Sequence, residues 1–234
     1  MNKKIAVFDI DGTIYRKNLA FELLSELAWM KIFPKSVKDE LVRLYSNWLE
    51  HEGTYEEYRN ALVKLYIQNL KGCKQDDVIE ASRLVIPFHK DRTYIFATDL
   101  IKKLRKKGYT IIAVSGSPYE IVREYNKHLK FDAVFGSVYE VDKLGIYTGK
   151  TIFEPTIHKG HVVKQYAIEN NLSLKDSYGI GDTESDAKFL EIVDNPIAFN
   201  PNLNLKKIAE SKGWRIVVEK KDVIYEISNS NSKN

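Results

Sequence analysis

Residues 5–8 (IAVF) form an uninterrupted apolar run that stops at Asp9-Ile10-Asp11-Gly12-Thr13. A run this short, apolar at every position, is the signature of a strand buried on both faces, as in a parallel sheet. A strand of that kind must be covered by helices on either side, which restricts the chain to a layered α/β architecture. Similar short runs recur at 110–114 (TIIAV), 133–135, 177–180 (SYGI), 196–199 (PIAF) and 215–218 (RIVV). Helical patterns fall between most of them: one ends before Gly108, one covers 119–128, one follows Lys159, and others cover 185–192 and 203–211. The alternation predicts a doubly wound, Rossmann-like parallel sheet.

Residues 16–90 break the alternation and read as helices only. Asn18 is placed to cap a first helix with Phe21, Leu24, Leu27 and Ala28 on one face, and Pro34 follows its end. Ser36 is placed to cap a second, with Val37, Leu41, Leu44, Tyr45 and Trp48 inward. Thr54 and Glu57 form a capping box for a third, carrying Tyr58, Leu62, Leu65 and Tyr66, and Gly72 ends it. A fourth is expected over 76–86. The spacing of Trp29 and Trp48 reads as core packing or packing between the helices and the sheet domain. The reading divides the chain into a core formed by 1–15 and 91–234 and a helical insertion at 16–90. A chain of 234 residues is long enough for both without a disulfide or a structural metal. Around Asp142, Lys143 and Gly145, residues 138–151 read as a hairpin bordering the site.

Ligands of open parallel sheets bind beyond the carboxyl ends of the strands. The residues just past each predicted strand are therefore informative. Asp9, Asp11, Gly12 and Thr13 come after the first, Ser115-Gly116-Ser117 after the second, and Gly181-Asp182 after the strand at 177–180, with Asp186 four residues on. Two residues apart in extended geometry, Asp9 and Asp11 point to the same side. Together with Asp182 they would repel one another in a partly desolvated site, and a divalent cation relieves that repulsion. All-oxygen ligation suits Mg2+.

In these positions DIDGT at 9–13, Ser115, Lys159 and GDTESD at 181–186 resemble the four motifs of the haloacid dehalogenase superfamily. The helical insertion is similar to that superfamily's cap of the first type, and the branch most alike is the phosphoserine-phosphatase-like hydrolases. The resemblance implies a Mg2+-dependent phosphomonoesterase in which Asp9 attacks phosphorus to give an aspartyl phosphate. Asp11 would protonate the leaving alcohol and later activate water, its pKa raised by repulsion from Asp9 and the phosphate. Mg2+ would be held by the Asp9 carboxylate, the Asp11 main-chain carbonyl and Asp182. Ser115 and the Gly116 N–H would bind the phosphoryl group, and Lys159 would supply positive charge to it. Thr13 would order the turn, and Asp186 would support Lys159 or a water of the ion's shell rather than ligate it. Phosphoserine phosphatases place a Glu shortly after the first motif and read GDGxND in the last. Here the segments are Tyr15-Arg16-Lys17-Asn18 and 181–186 (GDTESD), so Arg16 and Lys17 suit an additional anionic group on the substrate.

The expected substrate is a small phosphorylated metabolite, with phosphoserine as one alternative. An alternative of another class is a receiver-like phospho-acceptor module, which also uses an acidic pocket with a Ser or Thr and a Lys. The insertion and the second acid, Asp11, argue against it. A net charge of +4, from 36 basic and 32 acidic residues, makes only a weak case for nucleic acid, which is not expected as a partner. The cluster Lys102, Lys103, Arg105, Lys106 and Lys107 reads as the solvated face of a helix whose other face is Ala97, Leu100, Ile101 and Leu104. His158 and His161 read as surface or mouth residues. Cys73 is the only cysteine, so neither a disulfide within the chain nor a cysteine metal site is expected. No signal peptide or membrane segment is read, so a cytoplasmic location is expected. Residues 228–234 read as a frayed tail, and the sequence leaves the oligomeric state open.

Overall fold

The apolar runs assemble into one sheet. In the computed structural model, which describes residues 3–227, eight strands lie in the order β4-β3-β2-β1-β5-β6-β7-β8. They are β1 (Lys4–Phe8), β2 (Thr110–Pro118), β3 (Ala133–Val141), β4 (Tyr147–Phe153), β5 (Ser173–Gly181), β6 (Asn195–Phe199), β7 (Arg215–Lys220) and β8 (Val223–Ile227). The six inner strands pair in parallel, whereas β4 and β8 run antiparallel at the two edges. The chain leaves β1 for β2 and β3 on one side and returns to β5, β6 and β7 on the other. The reversal of order beside β1 opens a crevice at the carboxyl ends of β1 and β5.

Successive side chains of β1 alternate between two separate cores. Ala6 and Phe8 face the layer containing α5 (Ile95–Lys106) and α6 (Tyr119–Leu129). Ile5 and Val7 face α7 (Pro155–Glu169), α8 (Ala187–Leu190) and α9 (Leu203–Lys212). Residues 16–90 carry α1 (Leu19–Trp29), α2 (Ser36–Leu49), α3 (Tyr55–Leu70) and α4 (Gln75–His89). Their apolar faces, through Leu23, Leu27, Leu41, Leu62 and Ala81, join the same cluster as Phe8 and Ile180.

Several local expectations hold. Asn18 accepts the Phe21 N–H at 3.0 Å, and Thr54 and Glu57 close the capping box. The basic residues of α5 are exposed while Ala97, Ile101 and Leu104 are buried. Asp142 Oδ1 accepts the N–H groups of Leu144 and Ile146, forming the turn of the expected hairpin. That hairpin is also tied to the α3–α4 connection: Gly72 and Gln75 donate to the Tyr147 and Gly145 carbonyls.

Others differ. Ser36 is not an N-cap, because Lys35 is already in the αR region and Val37 N–H bonds to the Pro34 carbonyl. The turn thus begins at Pro34, whose fixed φ is preorganised for a helix start. The helix expected over 185–192 is a 3-10 turn at Glu184–Asp186 followed by the single helical turn of α8. The helix expected after Lys159 begins earlier, at Pro155, and includes Lys159. Trp29 is not packed in a core: at the end of α1 it is 72% exposed, with the Lys38 ammonium 5.4 Å from its ring centre. Tyr45 is likewise exposed, and Trp48 is half-buried. β8 adds a strand beyond those expected; its sequence VIYEI, just past the positive-φ Lys221, is rich in β-formers and sits at the sheet edge. Among the described residues no helix is long and apolar enough to cross a membrane. The tail at 228–234 lies outside the described residues.

Candidate active site

Strand register brings the sequence motifs to one place. Phe8 lies opposite Ala113 of β2 on one side and Ile180 of β5 on the other. Asp9 comes directly after Phe8, and Ser115 and Asp182 each lie two residues past their partners, so all three stand at the same edge. The Asp9 N–H donates to the Ile180 carbonyl at 2.9 Å, fixing the start of the turn. Gly12 closes that turn at φ +81°, a conformation that favours glycine. A Cβ there would lie 2.1 Å from Asp182 Oδ2, so the absence of a side chain also permits the two motifs to touch. Thr13, fully buried, donates to Asp182 Oδ1 at 3.4 Å.

Carboxylate oxygens of Asp9, Asp182 and Asp186 lie within 4.8 Å of one another, and all three residues are buried. Lys159, only 1% exposed, stands among them. Its ammonium donates to Asp9 Oδ1 at 2.6 Å and to Asp186 Oδ1 at 2.5 Å. Lys159 directly follows a kink in α7. His158 has non-helical dihedrals, and Gly160 lets α7 approach α8 so closely that a Cβ would sit 2.4 Å from the Lys188 carbonyl oxygen. Asp186 Oδ2 accepts the N–H groups of Asp182 and Thr183 and the Thr183 hydroxyl. Asp186 is therefore fully engaged in holding the last motif and Lys159 together. Asp9 Oδ2, by contrast, is buried without any hydrogen-bond partner.

Electrostatics follow from this crowding. Burial, with added repulsion from Asp186 and Asp11, pushes the Asp9 carboxyl up to about 7 against the opposing pull of Lys159. Burial and the neighbouring Asp9 charge hold Asp182 well above the usual carboxylate range. Burial lowers the Lys159 pKa, but the Asp186 and Asp9 charges outweigh it and leave the ammonium above the ordinary lysine value. Two adjacent carboxylates that resist joint ionisation, one with an unpaired buried oxygen, form a donor set that fits a hard divalent cation.

Asp11 lines the same cavity, with its carboxylate held by other partners than the cluster's. Its Oδ1 accepts the Leu19 N–H at 2.6 Å, and its Oδ2 accepts both the Ser115 and Ser117 hydroxyls at 2.7 Å. Ser117 Oγ in turn accepts the Ala20 N–H at 3.2 Å. Core residues thus satisfy amide donors in the first turn of α1, which a helix cannot satisfy itself. The Asp11 pKa is raised by burial and lowered by these hydrogen bonds; the expected repulsion from Asp9 is not among its leading causes. Ser115, expected to face a phosphoryl group, is fully buried, donates to Asp11 and accepts the Ser117 N–H.

A cavity of about 150 Å³ opens on this cluster, lined by Asp9, Asp11, Lys159 and Asp182, with Gly116 and Ser117 in place of Ser115. Arg59 of α3 and Glu154 also line it. The helices supply Tyr55 and Asn18, residues that periodicity alone did not mark as facing a site. Arg16 is turned away: its guanidinium pairs with the buried Glu219 at 2.6 Å and donates to the Thr93 carbonyl. Glu219 also accepts the Ile95 and Phe96 N–H groups at the start of α5. Arg16 is thereby a clamp between the two connections of the helical insertion rather than a free anion receptor. Lys17 lies near Glu22 at 3.5 Å and remains half-exposed. His158 and His161 are exposed, away from the cavity.

Known proteins resemble this chain in sequence and in fold. The sequence profile of the haloacid dehalogenase-like hydrolases matches residues 6–191. The chain is 24% identical to a histidinol-phosphatase of Neisseria meningitidis serogroup C (strain 8013), across 92% of this chain and 98% of that protein. It is 30% identical to a phosphoserine phosphatase of Lactococcus lactis subsp. lactis (strain IL1403), across 84% and 83% respectively. A solved structure described as a phospho-aspartyl intermediate analogue of phosphoserine phosphatase shares the fold, with a TM-score of 0.63 at 22% identity over 95% of this chain and 96% of that one.

Proposed function

We propose, from the premise that this chain belongs to the haloacid dehalogenase-like hydrolase family, that it is a Mg2+-dependent phosphatase of a small phosphomonoester and works through an aspartyl phosphate. The observation that carries the reading is the buried, unpaired Oδ2 of Asp9, which with Lys159 lines the cavity. Asp9 Oδ attacks phosphorus as the bond to the leaving oxygen breaks, and Asp11 delivers a proton to that oxygen. Asp11 then takes a proton from the water that cleaves the acyl phosphate. Lys159 favours the ionised form of Asp9 against the burial that raises its pKa, and presents positive charge to the phosphoryl oxygens. Asp186 holds Lys159 in place, and Gly116 and Ser117 lie where a phosphoryl group contacts the chain. Asp9, Asp182 and the Asp11 main-chain carbonyl would hold Mg2+, which when bound supplies charge to offset the phosphate. Residues 16–90 serve as a cap that excludes water from the cleft.

An alternative, phosphoserine as substrate, rests on the opposite charges of Arg59 and Glu154 in the cavity and on the Lactococcus relative. A panel of phosphomonoesters including phosphoserine, assayed with and without Mg2+, tests both. Turnover that needs the cation is expected. An acyl phosphate persisting for many minutes would instead favour a signalling role.

The carboxylate cluster makes a second prediction. Raised folded-state carboxyl pKa values mean that the folded protein retains protons the unfolded chain has lost. Without a divalent cation, stability therefore falls as pH rises from about 4, the ordinary carboxylate value, towards about 7, the value reached by Asp9. Mg2+ opposes that loss. At about 100 times its dissociation constant it should raise the Tm at pH 8 by about 5–10 °C, and by much less at pH 5, where protons compete for the same oxygens. Calorimetry at the two pH values checks this; equal shifts would remove the carboxylates from the cation site.

A further inference from the structure

A second, larger cavity of about 620 Å³ adjoins the first, and the two share Asn18, Tyr55 and Asp182. Its walls are aromatic: Phe21, Tyr45, Trp48, Tyr55 and Tyr58 come from the helices of the insertion, and Tyr94 from the segment leading into α5. The first five rings support one another. Trp48 stacks on Tyr58 at 5.6 Å with planes 14° apart, meets Tyr55 edge-on at 5.5 Å, and lies 5.8 Å from Tyr45. These separations leave no room for a guest between the rings, so a ligand must lie against the outer face of the wall. Tyr94 is fixed edge-on to Phe199 at 5.1 Å and carries the Arg16 guanidinium 4.9 Å from its ring centre.

The charges around this chamber narrow its occupant. Arg16 and Lys17 line it, and the carboxylate that reaches it is Asp182, already committed to the acidic cluster. An organic cation would meet Lys17 and find no free carboxylate, so the rings do not make a cage for a quaternary ammonium. The hydroxyls of Tyr45, Tyr55 and Tyr58 make no hydrogen bond to protein among the described residues, leaving polar edges for ring heteroatoms. Burial holds the Tyr55 and Tyr58 hydroxyls protonated. A wall of π-faces with neutral donors at its rim suits an uncharged planar ring.

We propose that this chamber receives the leaving group of the phosphomonoester and selects an aromatic or heteroaromatic ring. The inference rests on the phosphatase reading above: the phosphoryl group occupies the smaller cavity at Asp9 and Lys159, and the ring extends past Tyr55 into the larger one. Trp48 and Tyr58 are then specificity residues that touch the leaving group and take no part in proton or phosphoryl transfer.

The test compares benzyl phosphate with cyclohexylmethyl phosphate, which has the same reach but no π-face, alongside phosphocholine and phosphoserine, all with Mg2+. In the unmodified protein kcat/KM for benzyl phosphate should exceed that for the saturated ester by about tenfold, chiefly through KM. The preference should shrink to about twofold or less in Trp48→Leu and Tyr58→Leu and persist in Trp48→Phe. Independently of turnover, benzyl phosphate added to the Asp9→Asn protein should quench tryptophan emission, and the quench should vanish when Trp48→Phe is added. Equal use of the two ring esters, or a preference for phosphocholine or phosphoserine, overturns the proposal. If no ester is hydrolysed, the phosphatase reading fails, while the emission titration still reports whether the chamber holds a ring.

Discussion

Replacing Asp9 with Asn is expected to lower turnover of a generic aryl phosphate by about 10⁴-fold or more while leaving the fold intact. The amide is nearly isosteric, so the packing around β1 need not change. It is not a nucleophile, and it brings an N–H2 group into a place built for a carboxylate. If that group faces Lys159, two donors meet where a 2.6 Å charge-assisted bond stood. If it faces the other way, it displaces the unpaired Oδ2 on which the proposed cation site and nucleophile rely. Either rotamer removes the chemistry. Chelation by EDTA should give the same loss in the unmodified protein and, unlike the substitution, be reversed by added Mg2+. Steady-state rates with circular dichroism on the variant check the prediction. Substantial activity in the folded Asn variant would mean that another group attacks phosphorus.

Asp186→Ala should be the most destabilising change at the site. Asp186 is completely buried and holds four donors: Lys159, the Asp182 and Thr183 amides, and the Thr183 hydroxyl. Alanine leaves the amides unsatisfied and removes one of the two carboxylates that neutralise the Lys159 ammonium. Breaking a buried ion pair from one side typically costs about 3–5 kcal/mol. For a chain of this size that is a fall in Tm on the order of 10 °C. Turnover should fall too, because Lys159 loses the anchor that aims it at Asp9. Asp186→Asn separates the two effects. Its carbonyl oxygen can still accept the amides of the turn, so stability should recover in part, while activity stays low because the negative charge beside Lys159 is gone. Thermal unfolding of both variants, with kcat measured below their transitions, provides the check. A wild-type Tm for the alanine variant would contradict the assigned network.

Much of the architecture is legible in the sequence because its signals are local. The apolar run at 5–8, the capping box at Thr54 and Glu57 and the Asn18 cap depend on residues within one or two turns of one another. Sequence and structure part where a local pattern meets a longer-range contact. The helix expected over 185–192 begins as a 3-10 turn closed by a capping box between Thr183 and Asp186, and it ends at Leu190. Arg16 reads as available for an anion, but Glu219, 203 residues away, holds it. Ser115 is at the expected strand end, but strand position fixes the backbone, and its hydroxyl is turned by Asp11 and Ser117.

By itself the sequence determined a doubly wound sheet interrupted by a helical insertion, with its acidic motifs at the strand ends. Those properties follow from the periodicity of apolar residues and from which residues terminate each run. Only the tertiary structure decided that Lys159 is buried between Asp9 and Asp186, that Asp11 caps α1, and that six aromatic rings from separate segments share one chamber. These are contacts between residues as much as 150 positions apart in the chain. They depend on side-chain directions and helix packing, which periodicity restricts to a face without selecting the partner on it.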